Sequence, residues 1–344
     1  MLVISTGCPC GIGPEVSLSG AEQLQRQLPI ALVLVGDETT LRAAADLVGV
    51  DQAALRVLSS EQSQTLKSND LAPGLWLLPA GPGLQAADRA PGLPNAAAGA
   101  AQLAYIETAF TIARSCGVPL VTAPVSKAAI VGSQLSRARD FRGHTEWLQA
   151  MDQSGAVTMC FAAPAVSTSL VTTHIPLSEV STALTASGVE RAIVHLAQLL
   201  QLQGIELPKL AVCSLNPHAG ESELLGDEEN VAIAPGIAAA CAALAGSARV
   251  HGPVGAETAY RVGVRGEYDG VVAMYHDQAT IPMKLVAFGD SVNVTMGLSV
   301  PRTSVDHGTA YDIAWQGKAE SAGMLAALRY ATRLRGFESA DSVG

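Results

Sequence analysis

Short apolar runs alternate with amphipathic segments along most of the chain. The runs "LVIS", "IALVLVG" and "KLAVCSL" are rich in β-branched and apolar residues, which is typical of strands buried on both faces of a sheet. Between such runs, "GPEVSLSGAEQLQ" and residues 101–116 place apolar side chains at helical spacing, and Gly117 ends the second segment. This alternation predicts an α/β fold with a largely parallel sheet.

Three longer segments complete this pattern. Residues 178–204 and 228–245 are predicted to be helical, and the Pro/Gly-rich stretch 80–99 is predicted to be a surface excursion. The β-rich runs "AVTMCFAA" and "STSLVTT" are separated only by a short link that contains proline. We therefore expect two strands there with no helix between them.

Composition narrows the class of protein. A chain of 344 residues is longer than one typical domain, so two lobes are expected. Hydrophobic residues make up 49% and charged residues 15%, which excludes a disordered chain. The net charge is −10 and no block of Lys or Arg is present, which argues against a nucleic-acid-binding protein.

The first residues and the cysteines bear on the compartment. No apolar run reaches the roughly 18 residues of a spanning helix, and "MLVISTGCPCG" has no basic region before its apolar stretch. We therefore expect a cytoplasmic protein whose six cysteines stay reduced. Cys8 and Cys10 could bind a metal, but two thiols alone make a poor zinc site, so a tight-loop role is favoured.

A histidine follows the end of three predicted strands. "SLVTTHIPL" reaches His174, "LAVCSLNPHAG" reaches His218 and "VVAMYHDQ" reaches His276. Ligands in open α/β sheets bind beyond the carboxyl ends of the strands, and three imidazoles with an open fourth position describe a catalytic divalent-metal site. Taken singly, each of these histidines could equally be structural.

The sequence also contains candidates for binding an anion. His144 and Thr145 begin a predicted helix, where free backbone N–H groups favour negative charge. Lys284, Asn293 and Arg302 lie in the last third of the chain and could bind a carboxylate or phosphate. A surface position is the alternative for each cation. Neither a GxGxxG fingerprint after the first strand nor a P-loop is present, so a nucleotide would have to bind in another way.

Seven blocks identify a family resemblance. They occur in the order "GIGPEV", "VTAPVSK", "GHTEWL", "VTTHIPL", "LNPHAGE", "AMYHDQ" and "RTSVDHGTAYDIA", and together they span nearly the whole chain. In these blocks the sequence resembles the PdxA family, the 4-hydroxythreonine-4-phosphate dehydrogenases of pyridoxal phosphate biosynthesis. Relatives in this family also act on other hydroxy acids.

The resemblance implies a two-lobed, non-Rossmann α/β fold like that of isocitrate and isopropylmalate dehydrogenases, with an interlobe cleft. Residues 1–125 and 290–344 would form the first lobe, and residues 126–289 a second lobe with the metal ligands and the dimer interface. A homodimer with shared active sites is implied, with NAD or NADP as cofactor and one divalent metal (Zn, Mg or Co) per site. The implied metal ligands are His174, His218 and His276, and the implied substrate contacts are His144, Thr145, Lys284, Asn293 and Arg302.

The activity implied by the resemblance is oxidation of 4-phosphooxy-L-threonine to 2-amino-3-oxo-4-phosphooxybutanoate. This product decarboxylates to 3-amino-2-oxopropyl phosphate. Lys284 and Asp277 are the candidates for the proton acceptor, and the sequence does not choose between them. Oxidation of a related sugar acid, threonate or erythronate 4-phosphate, is the alternative, and a three-histidine metal hydrolase is a more remote one.

The chain departs from the family pattern at three places. Cys8-Pro9-Cys10 stands where the family usually has an acidic residue followed by Pro-Ala. Ala279 replaces the glycine that usually follows "HDQ", and Ser222-Glu223-Leu224 replaces a glycine-rich turn. None of these positions is an implied metal ligand or substrate contact. They bear on the cofactor preference and on the choice of substrate.

Overall fold

Strands and helices alternate along the computed structural model, which describes residues 1–153, 155–287 and 291–334. The described strands are β1 (Leu2–Ser5), β2 (Ala31–Gly36), β3 (Leu55–Val57), β4 (Gly74–Pro79), β5 (Leu120–Thr122), β6 (Thr158–Ala162), β7 (Ser167–Leu170), β8 (Lys209–Cys213), β9 (Arg249–Val254), β10 (Gly270–Ala273), β11 (Val292–Met296) and β12 (Arg302–Ser304). The described α-helices are α1 (Gly13–Gln25), α2 (Glu38–Val48), α3 (Ser60–Gln64), α4 (Ala96–Cys116), α5 (Lys127–Val131), α6 (His144–Asp152), α7 (Val180–Ala183), α8 (Ala186–Leu202), α9 (Ala234–Leu244), α10 (Ala256–Val264), α11 (His276–Val286) and α12 (Ala322–Arg333).

The chain divides into two compact units. The first comprises Met1–Gly155 and Leu298–Gly344, and the second comprises Ala156–Gly297. We expected the first crossing between lobes near residue 125, whereas this division assigns residues 126–155 to the first unit because α5 and α6 pack on α4. The second expected boundary, between residues 289 and 290, lies outside the described residues.

The first unit is built on a parallel sheet. Its described strands follow the order β3-β4-β2-β1-β5-β12, and every pairing among them is parallel. Strands β1 and β2 are buried along their whole length, which explains why they are apolar throughout rather than alternating. This unit matches the expectation of a parallel sheet with helical connections.

The second unit has a mixed sheet. Its described strands follow the order β11-β6-β7-β10-β8-β9, in which β6 pairs antiparallel with both β7 and β11. The link between β6 and β7 is only Ala163–Val166, which is too short for the crossover that a parallel pair requires. The pairs β7/β10, β10/β8 and β8/β9 are parallel, so four neighbouring strands point their carboxyl ends the same way.

Two helix boundaries differ from the expected ones. The predicted helix 178–204 is interrupted at Thr185, whose side chain accepts a hydrogen bond from Gly188 N and caps α8. Asn95 caps α4 in the same way through Ala98 N, so the stretch 80–99 already contains the start of a long helix. A Ser, Thr or Asn residue can be recognised as a helix cap in a sequence only when the start of the helix is already known.

Helices α4 and α5 approach each other closely at Gly99. A Cβ atom added at Gly99 would overlap the carbonyl oxygen of Ala129. Only glycine allows this approach, and it fixes α5, which begins at Lys127.

Among the described residues, none of the helices has both the length and the apolar character needed to cross a membrane.

Replacing Gly99 by alanine should destabilise the first unit. Overpacking costs about 1–3 kcal/mol, and here the obstacle is backbone, so we expect the upper part of that range. Alanine has a higher helix propensity than glycine, which offsets about 1 kcal/mol of this cost. The expected loss in the free energy of unfolding is therefore about 2 kcal/mol. Urea denaturation measures this loss. Gly83→Ala is the control because its Cβ would meet no atom within 4 Å, and equal stability of the two variants would contradict the packing argument.

Candidate active site

The three histidines of the second unit follow strands that lie side by side. β10 lies between β7 and β8, and all three run parallel. His174 comes four residues after the end of β7, His218 five residues after the end of β8, and His276 begins α11 shortly after β10. The sheet topology thus brings all three segments to one edge, as expected from their positions in the sequence.

Two polar side chains tie these strand ends together. The hydroxyl and the backbone N–H of Thr172 both donate to the carbonyl oxygen of Met274, at 2.7 and 3.1 Å. Gln278 accepts a hydrogen bond from Met274 N at 2.7 Å and donates one to the carbonyl oxygen of Ser214 at 2.9 Å. The sequence analysis overlooked both residues, although they lie in the blocks "VTTHIPL" and "AMYHDQ".

His174 and His276 form a pair at this edge. Their ring centroids are 5.5 Å apart, and both rings line a cavity of about 380 Å³ with Thr173 and Tyr275. His276 Nδ1 lies 2.7 Å from Oδ1 of Asp277, which also lines the cavity. A carboxylate on Nδ1 favours the tautomer that leaves Nε2 available as a ligand.

His218 lies in a loop with unusual backbone geometry. Its φ is 52°, and Ala219, Glu221, Ser222 and Glu223 also have positive φ, a region that costs non-glycine residues about 1–2 kcal/mol each. The loop is held by the buried Glu229, whose Oε1 accepts hydrogen bonds from Leu215 N at 2.9 Å and Asn216 N at 2.8 Å.

The three histidines do not all converge in this single chain. Over the residues that the structure describes, no group of three or more His, Cys, Asp or Glu side chains could hold a metal ion. Only His174 and His276 are in ring contact, and His174 and His218 are exposed. The metal-ligand role of the three residues therefore stays a prediction.

Lys284 and Asn293 also belong to the second unit. Lys284 is exposed on α11, eight residues after His276, which corresponds to about 12 Å along the helix axis. Asn293 lies on β11, and its side-chain oxygen is buried with no hydrogen-bond partner among the described residues. A buried amide oxygen of this kind is suited to accept a hydrogen bond from a ligand.

Arg302 is a buried cation at the start of β12 in the first unit. Its side chain is 4% exposed, and Nε and Nη2 donate to the hydroxyl of Thr122 at 3.1 and 2.8 Å. Burial lowers the pKa of Arg302 to about 10, an effect that the charge of Glu146 partly opposes. The guanidinium is therefore still charged at neutral pH while much of its hydration is gone.

His144 begins α6 in the same unit. The residue before it, Gly143, provides no side-chain cap. The Nε2 atom of His144 is buried with no hydrogen-bond partner in the described part of the chain. Burial lowers the pKa of His144 well below its usual value, and the positive charges of Arg302 and Lys127 lower it further. Thr145, which follows on the same first turn, is half-buried.

Lys127 is a residue of this cluster that the sequence analysis did not single out. It begins α5, and its Nζ would lie 3.7 Å from a Cβ atom added at Gly143. Its only signal in the sequence was its place at the end of the block "VTAPVSK". Two cations, a neutral imidazole with an open nitrogen and an uncapped helix start thus meet in one unit, with Glu146 as the opposing charge. This combination favours an anion.

Comparisons with known proteins give the same result over nearly the whole chain. A sequence profile of the family described as "Pyridoxal phosphate biosynthetic protein PdxA" matches residues 29–331. The 4-hydroxythreonine-4-phosphate dehydrogenase of Geobacter metallireducens is 37% identical, covering 97% of this chain and 95% of its own. The D-threonate 4-phosphate dehydrogenase of Cupriavidus necator is 36% identical, covering 96% of each chain.

A solved structure supports the fold. The 4-hydroxythreonine-4-phosphate dehydrogenase of Klebsiella pneumoniae has a TM-score of 0.80 at 34% identity, with 97% of this chain and 99% of that chain covered. Fold and sequence thus define an α/β protein similar over its length to dehydrogenases of phosphorylated hydroxy acids. The chain belongs to the PdxA family. The resemblance found in the seven blocks and the α/β fold class are both confirmed.

The lowered pKa of His144 makes a titration prediction. The unfolded chain takes up a proton near pH 6.5 and the folded chain only well below it, so folding stability falls as the pH drops through 6.5. The NMR signal of the His144 ring should stay constant from pH 8 to about 5.5. Lys127→Met should raise the pKa of His144 because it removes one of the two positive charges. Lys318→Met is the control, and an unperturbed titration of His144 near pH 6.5 would contradict this electrostatic description.

Proposed function

We propose that the protein oxidises 4-phosphooxy-L-threonine with NAD or NADP to 2-amino-3-oxo-4-phosphooxybutanoate. This product loses carbon dioxide to give 3-amino-2-oxopropyl phosphate. The near full-length similarity to 4-hydroxythreonine-4-phosphate dehydrogenases supports the reaction class. The observation that carries the proposal is the buried Arg302 beside a neutral His144 with an open Nε2. An acidic chain needs such a local site to bind a doubly charged phosphate.

The alternative substrate is D-threonate 4-phosphate. The Cupriavidus necator relative carries that name at nearly the same identity as the Geobacter metallireducens relative. The two substrates share the phosphate and the hydroxyl that is oxidised, and they differ in whether an amine is present. The proposed phosphate site therefore fits both, and the choice depends on groups that face the amine.

The phosphate would be held by donors of the first unit. Arg302 carries a buried guanidinium, and its low solvation strengthens any charge-assisted hydrogen bond that it makes. The neutral imidazole of His144 can donate from Nε2, and the hydroxyl and backbone N–H of Thr145 add donors at the helix start. Lys127 contributes a further positive charge. Asn293 and Lys284 are proposed as additional substrate contacts.

The residues of the second unit fit a divalent metal by their chemistry. His174 and His276 are adjacent imidazoles, and Asp277 leaves His276 Nε2 open. His218 is proposed as the third ligand, from the neighbouring strand end. Imidazole ligands suit zinc and cobalt better than magnesium. A metal held there would polarise the substrate oxygen and so ease loss of the hydroxyl proton.

Two side chains are proposed for the proton transfer. Asp277 already contacts His276 Nδ1, which favours an orienting role for its carboxylate. Lys284 is therefore our choice for the proton acceptor, and its amine would take the hydroxyl proton during the oxidation.

A homodimer is part of the proposal. The second unit exposes large apolar side chains that a monomer would leave in water, among them Leu285 at 81%, Leu177 at 71% and Ile281 at 60% exposure. Ile281 and Leu285 lie one turn apart on α11, the helix that also carries His276 and Lys284. A second copy covering this surface would bring its own polar groups near the exposed His174. Analytical ultracentrifugation tests the dimer.

Removing a proposed ligand should remove the metal. His276→Ala should lower the metal content from about one ion per chain to nearly none. Asp277→Asn should weaken metal affinity by about 10- to 100-fold, because the carboxylate only orients the ring. Metal analysis after dialysis and a competition titration with a chelator measure both effects. His251→Ala is the control, since its ring stacks on Tyr268 instead. Full metal content in His276→Ala would refute the site.

A substrate comparison tests the function itself. Nicotinamide reduction should be fastest with 4-phosphooxy-L-threonine, slower with D-threonate 4-phosphate and at least about tenfold slower with unphosphorylated 4-hydroxythreonine. Arg302→Lys should lower kcat/KM for the phosphorylated substrate by about ten- to a hundredfold, since an ammonium lacks the guanidinium fork.

Controls accompany both the substrate comparison and the Arg302→Lys variant. Arg265→Lys alters an exposed arginine and should leave kcat/KM unchanged, and Arg302→Lys should keep its metal content. Faster turnover of D-threonate 4-phosphate would transfer the assignment to that substrate. Equal turnover of phosphorylated and unphosphorylated substrates would remove the phosphate site from the proposal.

A further inference from the structure

Two buried thiols lie on one tight turn in the first unit. Cys8 and Cys10 follow β1 and are separated by Pro9, and Gly11 N donates to the carbonyl oxygen of Cys8 at 3.1 Å. Pro9 therefore occupies the second position of a four-residue turn, where its fixed φ is favourable. Both sulfur atoms are fully buried, and both cysteines are in the thiol form.

Each sulfur has a polar contact on a different side of the turn. Cys8 Sγ lies 3.4 Å from the hydroxyl of Tyr311, and Cys10 Sγ donates to the carbonyl oxygen of Asp88 at 3.3 Å. Both cysteines belong to one small buried cluster, which Ala98 and Tyr311 complete. The two thiols thus already share one part of the core in the reduced protein.

We propose that Cys8 and Cys10 are a thiol-oxidation site that forms a reversible intramolecular disulfide. Residues two apart in a tight turn have Cα atoms about 5.5 Å apart, since consecutive Cα atoms are 3.8 Å apart and the chain bends sharply. A disulfide needs a Cα separation of about 4.4–6.8 Å. The turn therefore provides the required Cα separation. To form the bond, each sulfur must leave its present contact, with Tyr311 or with Asp88, and contact the other sulfur.

The oxidant would be a low-molecular-weight disulfide. The Cys8 thiolate attacks one sulfur of that disulfide, which releases one thiol and leaves a mixed disulfide on Cys8. Cys10 then gives up its proton and attacks the Cys8 sulfur, which releases the second thiol. Two electrons and two protons pass from the protein to the oxidant, which becomes two thiols.

The surroundings favour Cys8 as the attacking thiol. The neighbouring thiol of Cys10 and the hydroxyl of Tyr311 lower the pKa of Cys8 to about 7 against the opposing effect of burial. The pKa of Cys10 is raised, first by the neighbouring Cys8, then by burial and by the negative charge of Asp88. Tyr105 is the other titratable group close enough to interact with both thiols. One low-pKa thiol beside a second, neutral one is the arrangement of an attacking and a resolving cysteine.

Tryptic mapping of the full chain tests the proposal. Residues 1–26 contain Cys8 and Cys10, no other cysteine, and no Lys or Arg before Arg26, so one peptide carries the whole site. The native protein is incubated with glutathione disulfide, then denatured and alkylated. Peptide 1–26 should lose both alkyl groups and be lighter by two hydrogen atoms, and dithiothreitol should restore both thiols.

The exposed thiol of Cys241 and two cysteine-to-serine variants act as controls. The exposed Cys241 should form a mixed disulfide faster than the buried pair reacts, which shows that the oxidant was effective. Cys10→Ser should trap a glutathione adduct on Cys8 because the resolving thiol is missing, and Cys8→Ser should give no disulfide in this peptide. If peptide 1–26 of the wild-type protein keeps both alkyl groups under conditions that fully modify Cys241, the two thiols only fill the core and the proposal is wrong.

Discussion

The buried charge of Arg302 is the constraint on which the proposed substrate site depends. A guanidinium with 4% exposure has lost most of its water, and the hydroxyl of Thr122 accepts hydrogen bonds from its Nε and Nη2 atoms. A buried cation of this kind is stable only if its surroundings compensate for the lost hydration. The same charge helps to keep His144 neutral. A phosphate would add negative charge to that of Glu146 beside this buried cation, so one buried residue links the stability of the first unit to its proposed ligand.

The second unit uses its sheet in a different way. Three parallel strands end side by side, and Thr172 and Gln278 join those ends through backbone carbonyls and N–H groups. The strand ends are thus held by hydrogen bonds within the unit, whereas His174 and His218 themselves are exposed. Exposed residues on a sheet edge that is held by hydrogen bonds are suited to contact a ligand, a metal or a second copy of the chain. This is why the proposed dimer and the proposed metal belong to one hypothesis.

Much of this arrangement could be predicted from the sequence. Apolar runs that end in His174, His218 and His276 indicated the strand ends, because strand burial leaves a strong local pattern. Lys127 and Glu229 were missed, since their roles depend on contacts between distant segments that no local pattern reveals. The compact units in the structure assign residues 126–155 to the first unit, and the sequence did not indicate this because the packing of α5 and α6 on α4 is a tertiary property. The interruption of the helix at Thr185 was missed for a similar reason, because a threonine acts as a helix cap only where the chain changes direction.

Inorganic phosphate provides the most direct measurement of the proposed anion site. The ring signals of His144, assigned by comparison with His144→Gln, are followed by NMR as phosphate is added at constant pH and ionic strength. If Arg302, His144 and Lys127 bind a phosphate together, the His144 signals should shift along a saturable curve while those of His251, in the other unit, stay constant. Saturable phosphate binding that leaves the His144 signals unchanged, or no saturable binding at all, would contradict the assignment of this cluster as the phosphate site.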